Sequence, residues 1–218
     1  MVDNKNKKRE SMSSRFAVVT LDLIGSRDID TLSTKIKNLL HEINRRYHAQ
    51  LIAPFVVTLG DEFQGVLRST SEVFHIFIDV QSVFEIYAGV GTGKIDRSQD
   101  TYSPSMTGEA FVRSREAIHS AKDRRRTFVV STGEVELDLV VNTLAYAAQF
   151  IRSEQTARQK SVIDSLLLDS NLKKSRLATK LKVSPQAISR ILKGGGFYTT
   201  QEITTTIQHI LSVHDSMS

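Results

Sequence analysis

The 218-residue sequence predicts an α+β sandwich followed by a smaller all-α domain. Three observations support this fold class. Short apolar runs alternate with segments in which apolar residues recur every three or four positions, as strands and amphipathic helices do in an α+β domain. The triplet Gly-Asp-Glu at 60–62 separates two apolar runs, which is typical of a hairpin turn. Beyond residue 156 apolar residues recur at helical spacing, which predicts a helix over 157–168.

The order of the predicted elements gives the architecture. The predicted strands are 16–21, 55–59, 63–67, 87–93 and 128–131, and the predicted helices are 29–47, 71–86 and 108–120. The order strand, helix, hairpin, helix, strand, helix, strand describes a sandwich of the palm or ferredoxin-like kind, with helices over one face of a single sheet. The glycines at 91 and 93 are interpreted as a turn at the end of a strand.

Charge divides the chain into regions. Residues 1–15 carry five basic and two acidic side chains and residues 152–218 carry ten and five, whereas 16–151 carry 14 and 17. A basic appendage on a mildly acidic body is typical of a nucleic-acid-binding protein. The predicted regions are a basic disordered tail at 1–14, a palm domain at 15–137, a linker helix at 138–156 and a helix-turn-helix domain at 157–218. For the tail, a solvated segment without a partner is the simpler interpretation.

Composition limits the cellular compartment in which the protein is expected. The chain has no cysteine, which excludes disulfides and thiolate metal sites and fits a reducing compartment. Charged or polar residues interrupt the apolar stretches before they reach the roughly 18 positions that a membrane span needs. The N-terminus has no apolar signal core. We therefore expect a cytoplasmic protein without a membrane partner.

Two aspartates follow apolar runs and lie beside glycines. Asp22 follows the first predicted strand, and Asp61 lies in the hairpin turn. If both meet at one edge of the sheet, about 4 Å apart, they repel by roughly 4 kcal/mol at an effective dielectric constant of about 20. A shared Mg²⁺ or Mn²⁺ would neutralise the pair and bind phosphate oxygens. The alternative is that each aspartate is an ordinary turn residue.

Several other residues are candidates for contact with a nucleotide. The backbone N–H groups after Asp22 can cradle a phosphate chain, and later arginines or the basic cluster at 122–126 can add positive charge. For the arginines, an exposed helix face or a solvated loop is the alternative. The nucleotide-binding candidates are Ile24, Gly25, Ser26, Gly60, Arg113 and Arg115.

The stretches LDLIGSR, LGDEFQGVL, GVGTGKI and GEAFVRSREAI, in this order and spacing, resemble the bacterial SatD-like family. Over residues 16–131 they resemble, more remotely, the catalytic domain of class III nucleotide cyclases and the related GGDEF palm domains. The cyclase resemblance implies that Asp22 and Asp61 bind the metal and that residues 24–26 contact phosphate. It also implies a site that is completed across a dimer.

The late helix departs from the cyclase pattern. Cyclases place an asparagine and an arginine there to stabilise the transition state. In GEAFVRSREAI, Val112 or Arg113 lies near the asparagine position and Arg115 near the arginine position, and there is no asparagine. Metal and nucleotide binding are therefore better supported by the resemblance than turnover is.

Residues 173–196, KKSRLATKLKVSPQAISRILKGGG, have the pattern of a helix-turn-helix. Ser184 before Pro185 is a strong helix start, and the glycines at 194–196 end that helix. Lys182 occupies a turn position where glycine is common. The predicted buried positions are Leu177, Ala178, Leu181, Val183, Ile188 and Ile191.

On this register the exposed residues of 173–193 are polar or basic, as duplex DNA requires. The DNA-binding candidates are Lys173, Lys174, Lys180, Lys182, Ser184, Gln186, Ser189, Arg190 and Lys193. The alternative is a helical packing or dimerisation module.

Two functions follow. The first is a homodimeric DNA-binding transcriptional regulator whose palm domain binds a nucleoside triphosphate or other nucleotide with a metal, as a sensor or dimerisation element. The second is an active nucleotidyl cyclase, or a related phosphotransfer enzyme, that its helix-turn-helix targets to DNA. The missing asparagine favours the first function.

Overall fold

The computed structural model of the chain describes residues 15–25, 29–96, 102–168 and 171–217. The predicted tail, 1–14, lies outside these ranges. The described elements are β1 Phe16–Leu23, α1 Ile29–Arg46, β2 Leu51–Leu59, β3 Glu62–Leu67, α2 Val73–Gln81, β4 Ile86–Gly93, α3 Glu109–Arg124, β5 Phe128–Ser131, α4 Val135–Ser153, α5 Ala157–Leu168, α6 Lys174–Lys180, α7 Pro185–Gly194 and α8 Phe197–Met217. From β1 to β5 their order is the one that the sequence predicts, and α2 is shorter than predicted because it ends at Gln81 and a turn at 82–85 leads into β4.

The five strands form one mixed sheet in the order β2-β3-β1-β4-β5. Strand β1 lies between β3 and β4 and is antiparallel to both, and β5 is parallel to β4. Strands β2 and β3 form the predicted hairpin, with residues 60–61 in its turn. The chain is therefore a mixed α+β protein with a five-stranded sheet.

The two faces of the sheet are covered differently. Alternate residues of β1, such as Val19 and Leu21, pack in the main core with α1, α2, α4 and α8. The intervening residues, such as Val18, point to the opposite face, where α3 packs through Ala110. The sequence predicted helices over one face only, and this was wrong: α3 covers β4 from the other side. We call that side the α3 face.

Glycines in β4 explain how α3 approaches the sheet so closely. A Cβ atom at Gly89 would overlap the backbone of Ile118, and one at Gly91 would overlap the backbone at Ser114. Gly91 was predicted from the sequence to be part of a turn, but this residue lies within β4. Its lack of a side chain is a packing requirement of α3.

Replacing Gly91 with alanine is expected to destabilise the protein by about 2 kcal/mol, because the backbone of α3 must move to admit the methyl group. Gly194→Ala is the control, since Gly194 is helical and an added Cβ there meets only the end of the Gln159 side chain. Urea denaturation of both variants measures the difference. Equal stability of Gly91→Ala and the wild type would contradict the close packing.

Helices beyond residue 134 belong partly to the main core. Val141 and Ala145 of α4 are buried there, as are Ile207 and Leu211 of α8. Helix α4, which includes the predicted linker helix, therefore covers the sheet. Helix α8, which lies in the predicted helix-turn-helix domain, packs in the same core.

Helices α5, α6 and α7 enclose a small second core together with the start of α8. Its buried members are Val162, Ile163, Leu177, Ala178, Ile188, Leu192 and Phe197. Leu181, predicted to be buried, is 39% exposed because α6 ends at Lys180 and Leu181 leaves the helical register. Lys182 has a φ of 53°, so it adopts the left-handed conformation that makes glycine common at such a turn.

Among the helices in the described ranges, none is long and apolar enough to cross a membrane.

Candidate functional site

Asp22 lies near the end of β1 on the α3 face. It is directly opposite Glu62, the first residue of β3, in the antiparallel register of the two strands. Asp61 precedes Glu62 in the hairpin turn. The fold thus brings three carboxylates to one end of the sheet. The sequence prediction missed Glu62, although its position in GDE, next to Asp61, was a usable signal.

Lys122 of α3 neutralises part of this acidic cluster. Its Nζ lies 2.5 Å from Oδ2 of Asp22, and the Asp22 side chain is only 15% exposed. Burial raises the pKa of Asp22 above its ordinary value, and the charges of Asp61 and Glu62 act in the same direction. The hydrogen bond and charge of Lys122 oppose the rise without cancelling it. The folded protein therefore holds the ionised form of Asp22 at a net cost.

This pKa direction predicts how stability depends on pH. Because the folded state binds the Asp22 proton more tightly than the unfolded state, the contribution of Asp22 to stability falls as pH rises from near 4 through the folded-state pKa. Asp22→Asn is therefore expected to raise Tm at pH 7 in the presence of EDTA, and the gain should vanish in acid. Thermal melts of both proteins from pH 3 to 8 test this. A lower Tm for the variant at pH 7 would contradict it.

The donor chemistry of this cluster fits a hard divalent cation. Carboxylate oxygens are the ligands that Mg²⁺ and Mn²⁺ prefer, and three are grouped here. In the described part of the chain, however, no three acidic or histidine side chains are already arranged around a common metal position. The carboxylate of Asp22 forms an ion pair with Lys122 instead. Binding of a cation would require Asp22 to exchange its ammonium partner.

The residues predicted to contact phosphate have different positions. Ile24 follows β1, but its backbone N–H donates to the carbonyl of Glu85 at 2.9 Å and is already used by the fold. Gly25 is exposed, with a φ of 78°. Gly60 is exposed in the hairpin turn, with a φ of 60°. Ser26 lies outside the described residues. Gly25 and Gly60 thus remain the accessible backbone groups near Asp22.

The two candidate arginines on α3 are separated by the fold. Arg113 donates to the carbonyl of Thr92 at 2.7 Å and pairs with Glu109 at 2.8 Å. Thr92 is paired with Ala17, which lies five residues, or about 17 Å, from Asp22 along β1, so this contact is far from the acidic cluster. The structure does not bring Arg113 to Asp22.

Arg115 lines an open groove on the α3 face. The groove has a volume of about 660 Å³ and lies between the β2–β3 hairpin, residues 103–108 and α3. Glu62, Gln64 and His119 also line it. Thr58 donates to Glu62 Oε1 at 2.8 Å and holds that carboxylate at the rim. Arg115 and His119 thus share a cavity with one member of the acidic cluster.

A buried polar network fixes α3 beside this groove. Gln64 Nε2 donates to Thr20 Oγ1 at 2.9 Å, and the hydroxyl groups of Thr20 and Ser114 lie 2.8 Å apart. Ser114 donates in turn to the carbonyl of Gly89 at 3.0 Å. The network joins β3, β1, β4 and α3, so the groove has a rigid floor.

The DNA-binding candidates all lie on the outside of the α6–α7 unit. Each of the nine side chains is exposed, whereas Leu177, Ile188 and Leu192 of the same helices are buried. Ser184 caps α7 as predicted, accepting a hydrogen bond from the N–H of Ala187 at 3.1 Å. Tyr198 of α8, which the sequence prediction missed, accepts a hydrogen bond from Lys174 at 2.9 Å.

Comparison with known families gives a match over almost all of the described chain. The model of the SatD family matches residues 16–208. The chain belongs to the SatD family. The SatD match begins at the first residue of β1 and ends within α8, so it covers both the sheet with its acidic cluster and the α5–α7 unit. No curated protein matches the chain.

Proposed function

We propose that this SatD-family protein is a transcriptional regulator that binds duplex DNA through α6 and α7. The main support is that apolar and polar side chains lie on opposite sides of these helices. The apolar residues form the second core, and all nine predicted contact residues are exposed. A packing module would expose several large apolar side chains on this surface, whereas within 173–193 the only exposed one is Leu181, at 39%. The basic excess of residues 152–218 supports a polyanionic partner.

Helix α7 has the composition of a base-reading helix. Gln186, Ser189, Arg190 and Lys193 follow the spacing that places side chains on one helical face, opposite Ile188 and Leu192. Amide and guanidinium groups pair with base edges in the major groove. Lys173, Lys174, Lys180 and Lys182 supply phosphate contacts from α6 and the turn. Tyr198 orients Lys174 for this role through the hydrogen bond to its ammonium group.

The DNA proposal is tested by the salt dependence of binding. Lys180→Ala with Lys193→Ala is expected to reduce the slope of log affinity against log salt by about two, since each phosphate contact contributes about 0.9. Fluorescence anisotropy with a random duplex measures the slope. Lys35→Ala with Lys37→Ala is the matched control, because it removes two exposed charges from α1. Equal slopes for the two variants would contradict a DNA surface on α6 and α7.

The acidic cluster provides the second part of the proposed function. Asp22, Asp61 and Glu62 would hold Mg²⁺ or Mn²⁺, which neutralises the phosphate groups of a nucleotide when bound. Lys122 would then leave Asp22 and contact phosphate, and Arg115 and His119 would meet the rest of the nucleotide in the groove. Since α3 has no asparagine, we propose binding as a sensor rather than cyclisation.

A further inference from the structure

Helix α4 carries an apolar stripe that faces away from the protein. Val135 is 76% exposed, Leu139 68%, Tyr146 46% and Phe150 62%. At 100° per residue these four positions fall within about 60° of one another, on the side of α4 opposite its buried residues Val141 and Ala145. Contiguous exposed apolar surface of this kind marks an interaction site.

We propose that this stripe is the interface between two copies of the chain, with the two α4 helices antiparallel. A segment of the same chain is a poor alternative occupant. Among the residues outside the described ranges, the longest segment is 1–14, whose apolar side chains are limited to Met1, Val2 and Met12. It has too little apolar surface to cover four large side chains along the whole helix.

Charge complementarity favours an antiparallel second copy. The N-terminal end of α4 is acidic, with Glu134, Glu136 and Asp138. Of these, Glu134 pairs with Arg15 at 3.6 Å, and Asp138 accepts hydrogen bonds from Thr132. Its C-terminal half lies beside the exposed Arg125 and beside Arg126, whose guanidinium is 4.3 Å from the centre of the Tyr146 ring. Antiparallel pairing brings the acidic end of each copy to the basic end of the other, whereas parallel pairing brings like charges together. The surface is self-complementary, as a two-fold interface requires.

The geometry also places the α5–α7 units of the two copies. Helix α4 has 19 residues and is about 28 Å long. Thr143 lies near the middle of its exposed stripe, so a two-fold axis there puts the C-terminal ends of the helices, where α5 follows, about 28 Å apart. This approaches the roughly 34 Å between half-sites one helical turn apart on DNA. The interface does not depend on the DNA proposal, but it places the two α5–α7 units at a spacing of the same order as that proposal needs.

The absence of cysteine makes the orientation directly testable by cross-linking. Thr143→Cys in the full chain is expected to form an intermolecular disulfide on mild oxidation, because the two-fold axis passes beside it. Val135→Cys and Phe150→Cys should not cross-link with themselves but should cross-link when mixed. Self-cross-linking of all three variants would show parallel pairing and overturn the proposed orientation, and no cross-link in any of them would overturn the interface.

Sedimentation equilibrium tests the interface independently of cysteine chemistry. The wild type is expected to be dimeric at about 50 µM, where a micromolar complex is populated. Leu139→Arg should weaken the dimer about tenfold or more, equivalent to about 1.4 kcal/mol. Val112→Arg is the control, since Val112 is 59% exposed on α3, on the other face of the sheet. A monomeric wild type, a dimer only after deletion of 1–14, or a dimer weakened by Val112→Arg and not by Leu139→Arg would each overturn the proposal.

Discussion

Asp22→Asn combined with Asp61→Asn is expected to abolish metal-dependent nucleotide binding while leaving the fold intact. The double variant removes two of the three carboxylates at the end of β1 and the hairpin turn. Amide oxygens are weaker ligands for a hard cation, and the charge that attracts it is lost. Lys122 loses its anionic partner at the same time and remains 38% exposed, so water can solvate it.

Isothermal titration with Mn²⁺ and each nucleoside triphosphate measures the effect. Asp123→Asn with Glu154→Gln is a matched control, because both carboxylates are exposed and the control removes the same net charge. The control should bind as the wild type does. Unchanged affinity of the Asp22 and Asp61 variant would show that the acidic cluster does not bind the metal and its nucleotide. Analysis of the same mixtures for a cyclic product tests turnover, and efficient product formation would favour the cyclase function instead.

Arg190→Ala is expected to flatten the preference of the protein between a selected DNA site and random duplex. A bidentate arginine contact to a base is worth about 1–3 kcal/mol of discrimination, which is roughly 5-fold to 150-fold in relative affinity. Lys174→Ala should instead weaken binding to both duplexes alike and reduce the salt slope by about one. Both side chains are exposed, so neither substitution should change Tm by more than about 2 °C.

Competition titrations at fixed salt separate the two roles. Lys174→Ala serves as the control for Arg190→Ala, because each removes one positive charge from the α6–α7 unit. If Arg190→Ala and Lys174→Ala reduce specific and random binding in the same proportion, α7 does not read bases.

Local sequence signals predicted the elements well because they depend on neighbouring residues. The cap at Ser184, the proline after it and the hairpin glycine at 60 each act within a few positions of the chain. Strand β5 and helix α5 have the predicted bounds for the same reason. The alternation of β1 also fixes Asp22 on a definite face once the strand is assigned.

Contacts between distant residues could not be predicted in this way. Lys122 is 100 positions from Asp22, and only the placement of α3 on the far face of the sheet brings them together. Gly91 was interpreted as a turn residue because its close contact with Ser114 can be seen only when the position of α3 is known. Leu181 continued the apolar pattern of α6, but that helix stops one residue earlier. The first two differences arise from tertiary packing, and the third arises from the point at which α6 ends.

The most direct test of a DNA-binding regulator is a titration of the full chain against genomic fragments and random duplex at several salt concentrations. The full chain is needed because α8 packs in the main core, and a truncation would remove it. Some fragments are expected to bind at least about a thousandfold more tightly than random duplex. A variant carrying Lys180→Ala, Arg190→Ala and Lys193→Ala should lose this preference. Equal affinity of the wild type for all fragments and random duplex would contradict sequence-specific DNA binding by α6 and α7.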